Sequence, residues 1–245
     1  MDTYLSVVIP AYNEEERIVK TIKAVSSYLQ KQPYTYEILV VNDGSRDNTS
    51  SVVRDFEIYV PNLKLIDRKE NKGKGYTVRQ GLLEAKGKIR LFTDADNSTD
   101  ISYFEKMRPF FDKGYDVVIS SRDPKDAEGA SQDVSQLWYK RLMGNAGNLV
   151  IQLLVVSGIW DTQNGFKAFR DKSAEKIFNL VKINRWAFDV EILALARKLE
   201  YKIGIIPVHW INNPESRVGL MSYFRFFFEV LKIRWNLSRN KYDLS

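Results

Sequence analysis

Five short strand-like runs, at 5–9, 36–41, 63–67, 88–93 and 116–120, recur along the first half of this chain with helical spacing between them. Alternation of that kind predicts an α/β fold, a mostly parallel Rossmann-like sheet whose strands are joined by helical crossovers. In the first crossover Ile18, Ile22, Val25 and Leu29 fall at i, i+4, i+7 and i+11, on one face of a helix. Ligands of such sheets gather beyond the carboxyl ends of the strands. Tyr12, Asp43 and Asp96, which follow or close three of the runs, are therefore expected on one rim.

The chemistry is concentrated at those ends. Leu91-Phe92-Thr93-Asp94-Ala95-Asp96 finishes an apolar run on two carboxylates two residues apart. Where a strand breaks into a turn, such a pair can grip one divalent cation from the same side. Mg²⁺ and Mn²⁺ prefer carboxylate, water and phosphate oxygens, so a diphosphate completes a two-carboxylate site and a nucleotide-sugar enzyme is suggested. Three further segments accompany the pair: Pro10-Ala11-Tyr12-Asn13-Glu14, then Asn42-Asp43-Gly44-Ser45, then Asn71-Lys72-Gly73-Lys74-Gly75. The last, with two lysines and glycines opening a helical pattern, suits a loop approaching phosphate.

In this order and spacing, these segments make the chain resemble family 2 glycosyltransferases of the GT-A fold over nearly its full length. Asp161-Thr162-Gln163-Asn164-Gly165-Phe166-Lys167 and Ser120-Ser121-Arg122 resemble the polyprenyl-phosphate branch, in wording closer to its glucosyl than its mannosyl members. The resemblance implies that Pro10, Ala11, Tyr12, Glu14, Asp43, Lys74, Asp94 and Asp96 hold the nucleotide sugar. Asp94 and Asp96 would be the metal ligands for Mg²⁺ or Mn²⁺, with Asp96, Asp161 and Arg217 the catalytic candidates. Arg122, Arg141, Gln163, Lys167 and Arg217 would meet the acceptor phosphate. Mannose synthases of the branch carry Gln two residues beyond the second aspartate, where this chain has Ser98.

The reaction implied is inverting, metal-dependent transfer of a hexose, first choice glucose from UDP-glucose, to a dolichyl or undecaprenyl phosphate. A phosphate monoester, with a second pKa near 6, is already a dianionic nucleophile at pH 7 and needs cations more than a base. A sugar-hydroxyl acceptor would instead need a carboxylate base, for which Asp161 is the candidate. The alternatives are therefore a transferase extending a surface polysaccharide or glycolipid and, in another class, a catalytically silent nucleotide-sugar-binding scaffold.

Composition sets wider bounds. At 245 residues and 44% hydrophobic content the chain can bury one full α/β core. Without cysteine it has neither disulfides nor a zinc–thiolate site, which favours a reducing compartment. An early first strand leaves no room for a signal peptide. A formal charge of +6 favours anionic partners, and without any recognition motif nucleic acid is not expected among them. His209, the single histidine, sits in a strand-like run and is expected to be structural.

The second half predicts helices near 137–157 and 173–199, a strand over 202–211, and a polar loop over 123–136 near the acceptor entrance. The apolar run 149–160 is too short to span a bilayer and is expected as a buried helix. Residues 1–219 form the expected catalytic domain, and 220–245 a C-terminal amphipathic helix. On a helical wheel Arg225, Glu229, Lys232, Asn236 and Arg239 make one polar stripe, with the remaining circumference largely apolar. A helix of that kind needs apolar cover from its own domain, a partner subunit or a bilayer interface. The resemblance implies an acceptor that lies in a membrane, so a cytoplasmic enzyme peripheral on the cytoplasmic face of a membrane is expected.

Overall fold

Strand β1 (Leu5–Ala11) is buried at every residue, as a strand covered on both faces must be. In a computed structural model describing residues 2–133, 147–211 and 220–244, it pairs in parallel with β2 (Tyr36–Asp43) and β4 (Ile89–Thr93). β3 (Leu63–Arg68) extends β2 in parallel. The crossovers are α1 (Ile18–Leu29), α2 (Thr49–Glu57) and α3 (Lys74–Glu84), and all four residues of the predicted α1 face are buried. α4 (Phe104–Asp112) leads into β5 (Val117–Ser121).

The seven-stranded order is β3-β2-β1-β4-β7-β5-β8, with β7 (Phe166–Arg170) antiparallel to both neighbours and β8 (Ile203–Pro207) parallel to β5. That one reversed strand decides where the site lies. Because β7 runs against β4, its entry residue Phe166 pairs with Thr93, at the carboxyl end of β4. Residues 161–165 are thereby delivered to the rim that carries Asp94 and Arg122.

Alternate residues of each strand feed two cores. Val8, Leu39, Val41, Phe92 and Ile119 face α3, α6 (Asp171–Leu180) and α7 (Phe188–Lys198), while Leu5, Val7, Ile9, Ile38 and Leu91 face α1 and α4.

Several expectations are corrected. The predicted 173–199 helix is two helices, α6 and α7, separated by an extended segment that begins at Val181. Of the helix near 137–157, only 147–154 (α5) is described, and the chain leaves it before the apolar run ends. Ile151, Val156 and Ile159 are buried, but Leu149 and Leu153 are exposed. Within 123–136, the β6 strand (Ser131–Asp133) pairs with β9 (His209–Ile211) in a small parallel sheet. Val208 separates β9 from β8, interrupting the predicted 202–211 strand.

The C-terminal helix α8 (Leu220–Ser238) packs with an unexpected face inward. Val230, Ile233 and Asn236 are buried, and Glu229 accepts a bond from the Ala187 N–H at 3.0 Å. Two members of the presumed polar stripe thus face the protein, while Phe224, Phe227, Phe228, Leu231 and Trp235 are exposed. A buried backbone N–H needs an acceptor, and Glu229 supplies it, so one hydrogen bond helps to orient the helix.

Candidate active site

The first two strand ends are stitched together. Beyond Pro10 and Ala11, in register with Val41 and Asn42, Tyr12 is 37% exposed and Asn13 takes a left-handed φ of 55°. The Asn13 N–H donates to Ser45 Oγ at 2.9 Å and its Oδ1 accepts from the Arg46 N–H at 2.8 Å. Glu14 donates from its backbone to Thr49 Oγ1 and pairs through its carboxylate with Arg17 at 2.7 Å. These bonds close one side of a cleft of about 300 Å³ lined by Asn13, Glu14, Arg17, Arg46 and Asp47 among others.

Asp43, the last residue of β2, is buried and already engaged. It accepts from the Lys72 and Gly73 N–H groups at 2.8 and 2.9 Å and from the Arg68 guanidinium. Gly73, at φ 98°, makes the left-handed turn into α3, where a Cβ would strike the Asn184 carbonyl. Asp43 thus fixes the loop from which Lys74 projects.

Lys74 reaches Asp94, its Nζ 2.6 Å from Oδ1. Burial opposes its charge, but Asp94, Asp189 and Asp96 outweigh that effect and hold the ammonium above its ordinary pKa. Asp96 Oδ1 accepts from the Ser98 N–H at 2.9 Å, shaping the turn, and the Ala95 carbonyl is held by Thr21 Oγ1 at 2.6 Å. The Ser98 hydroxyl is buried without a partner. Gly165 lies so close that a Cβ there would sit 2.1 Å from Asp94 Oδ2. Among the described residues no cluster of three acids or histidines forms, so the cation donors offered at this turn are the Asp94 and Asp96 carboxylates. Two hard oxygens fit a Mg²⁺ or Mn²⁺ whose other ligands come from water and a diphosphate.

Opposite stands a second cation. Arg122 donates to Asp161 through Nε, Nη2 and its backbone N–H, each at 2.8 Å, and its guanidinium lies 5.2 Å from the Trp210 ring. Burial alone would raise the Asp161 carboxyl, but Arg122 holds it below the usual carboxylate range. Asp126 was not singled out in the sequence. It accepts from the Trp160 and Asp161 N–H groups and from Ser121 Oγ, all at 2.7 Å, and so bolts the Asp161 segment to the end of β5.

Lys167 lies deeper than its expected role requires. It is fully buried, bonded to Asp189 Oδ1 at 2.5 Å and to the Asn164 carbonyl, with its ammonium near the Phe92 ring. It is placed to position the 161–165 segment rather than to meet an incoming phosphate. Asp189 was also missed, because an acid in the first turn of a helix has the ordinary signature of a helix start. Gln163 is exposed. His209 Nδ1 is 2.9 Å from Ser131 Oγ, between β9 and β6. Arg141 and Arg217 lie outside the described residues.

Residues 6–178 match the model of glycosyl transferase family 2. The chain belongs to that family. The family 2 assignment agrees with its relatives: the dolichyl-phosphate β-glucosyltransferase of Dictyostelium discoideum is 32% identical over 244 residues, spanning 95% of this chain and 74% of that protein. The human dolichyl-phosphate β-glucosyltransferase is 32% identical over 248 residues, spanning 94% and 74%. The fold matches mannosyl-3-phosphoglycerate synthase from Rubrobacter xylanophilus, with a TM-score of 0.68 at 17% identity over 98% of this chain and 76% of that one. It also matches glucosyl-3-phosphoglycerate synthase from Mycobacterium tuberculosis, solved with Mn²⁺, UDP and glucosyl-3-phosphoglycerate, with a TM-score of 0.63 at 18% identity over 94% and 78%.

Proposed function

We propose that this family 2 glycosyltransferase moves glucose from UDP-glucose to a polyprenyl phosphate, a dolichyl or undecaprenyl phosphate, with inversion at the anomeric carbon. The observation that carries the choice of acceptor is the clamp between Arg122 and Asp161. An aspartate triply bonded to an arginine and held ionised is a poor general base, whereas an arginine on the rim of the acid pair is a phosphate ligand. This favours a phosphate over a sugar hydroxyl. The relatives' names support the same acceptor and sugar.

In this reading Pro10, Ala11, Tyr12, Glu14 and Asp43 form the nucleoside side, and Lys74 moves from Asp94 onto the diphosphate. A divalent cation held by Asp94 and Asp96 would neutralise charge on the departing UDP. An acceptor phosphate oxygen forms the new bond to C1 as the bond from C1 to the diphosphate oxygen breaks, so an α-linked donor gives a β-linked product. Because the acceptor arrives as a dianion, no proton has to be removed. Arg122, oriented by Asp161, holds it in line, with Gln163 at the exposed edge. Arg141 and Arg217 are proposed as further phosphate cations on the family resemblance alone.

The enzyme is proposed to work as a peripheral protein on the cytoplasmic face of a membrane, with 220–245 as its interfacial element. Among the described residues no helix is long and apolar enough to cross a bilayer, and the exposed aromatic face of α8 supports a helix lying in the interface. The test is incubation with radiolabelled UDP-glucose or GDP-mannose, Mg²⁺ or Mn²⁺ and a short-chain polyprenyl phosphate. Label from UDP-glucose is expected in the organic phase. Transfer only to a sugar hydroxyl, or from no donor, would overturn the proposal.

A further inference from the structure

A groove of about 430 Å³ opens between α7, α8 and the residues that follow α5, away from the acid pair. Val155, Ala194 and Leu237 line it with apolar surface, while Arg197, Lys198 and Arg234 bring three positive charges. Among the described residues none of these three cations forms an ion pair. Arg197 makes one long bond, 3.4 Å, to Ser157 Oγ. All three side chains are exposed, and together they present an unneutralised positive surface that attracts an anion.

The surroundings indicate which anion. On α8 the exposed Phe224, Phe227, Phe228, Leu231 and Trp235 fall at i, i+3, i+4, i+7 and i+11, a continuous outer stripe. On α5, just ahead of Val155, Leu149 and Leu153 are 53% and 75% exposed. A soluble metabolite would need charge around it but no apolar apron. A lipid headgroup needs both: cations for its phosphate and apolar side chains where its acyl chains begin.

We infer that this groove binds the headgroup phosphate of an anionic membrane phospholipid, with Arg197, Lys198 and Arg234 as its ligands. The inference rests on the peripheral-membrane reading of α8 and adds to it a specific headgroup site. The groove lies at the C-terminal ends of α7 and α8. Asp189, in the first turn of α7, and Glu229, bonded just ahead of that helix, mark the end nearer the catalytic rim. One anchored headgroup at the far end, with the aromatic stripe lying between, would hold α8 flat and turn the rim toward the membrane.

Vesicle sedimentation tests it, using phosphatidylcholine alone and phosphatidylcholine mixed with phosphatidylserine. The wild type is expected to gain binding on the anionic vesicles. Arg197→Gln, Lys198→Gln and Arg234→Gln combined should remove that gain, about 100-fold at about 1 kcal/mol per cation, and Arg234→Gln alone about 5-fold. Activity on a water-soluble short-chain acceptor should be unchanged, showing that the variants fold. Phe228→Ser with Trp235→Ser should weaken binding to both vesicle types. A triple variant that keeps the anionic gain, or a wild type that binds both vesicles equally, overturns the groove while the membrane reading survives. A wild type that binds neither vesicle overturns both. Glycerol phosphate binding to the groove without any gain on anionic vesicles would also overturn it, in favour of a soluble ligand.

Discussion

Gly165→Ala is expected to disable the enzyme without unfolding it. The three atoms nearest to a Cβ at position 165 all belong to the Asp94 carboxyl group, at 2.1, 2.4 and 2.6 Å, whereas ordinary van der Waals contact begins at 3.4 Å. The carboxylate must therefore retreat by about 1.3 Å, and a misplacement of about 1 Å at a reacting centre can cost about 100-fold in rate. Because no backbone atom is among those three, the fold should absorb the change at less than about 1 kcal/mol, typical of substitutions that create no buried defect. The assay is initial-rate transfer at saturating donor across a Mn²⁺ titration, alongside urea denaturation. A variant with normal turnover and normal metal dependence would refute the argument that this carboxylate's position matters.

Further outcomes follow from the same network. Lys167→Met strands Asp189 without its partner and should cost about 3–5 kcal/mol in urea denaturation, with Asp189→Leu added to it restoring most of the loss; a cost below about 1 kcal/mol would contradict the pairing. Asp161 has a folded pKa lowered by Arg122, so its contribution to stability is complete above the unfolded value of about 3.9 and disappears as pH falls through the lower folded value. The melting-temperature gap between wild type and Asp161→Asn should therefore be constant from neutral pH to about pH 5 and narrow only in stronger acid. If the acceptor is a phosphate, transfer should decline as pH falls through about 6, where the monoester loses its second charge, and Asp161→Asn should leave that midpoint unchanged; a midpoint that moves in the variant would make Asp161 a titrating base.

Much of the sheet was legible because its parallel strands are written as short runs rich in aliphatic residues between helical patterns, and all five runs became β1 to β5 within a residue or two. The rim followed from them, since strand ends in such sheets lie together. The reversed β7 was not legible: Phe166–Arg170 is short, and nothing in its pattern states which strands it separates. Nor was the seating of α8, because a helix that is apolar around most of its circumference has no unique inward face. Its orientation is tied to Glu229 meeting one backbone N–H, a long-range contact that no helical wheel contains. Acids were the other blind spot. Half-buried Asp126 and buried Asp189 look in sequence like turn or surface residues, and only folding shows each answering donors from distant segments.

Mn²⁺ electron paramagnetic resonance tests the acid pair most directly. With UDP-glucose present, the wild-type protein should deplete the free-ion signal through a cation shared by Asp94, Asp96 and the diphosphate, while Asp96→Ala should leave that signal near its protein-free level. An Asp96→Ala protein that takes up Mn²⁺ with the donor as fully as the wild type would contradict the account.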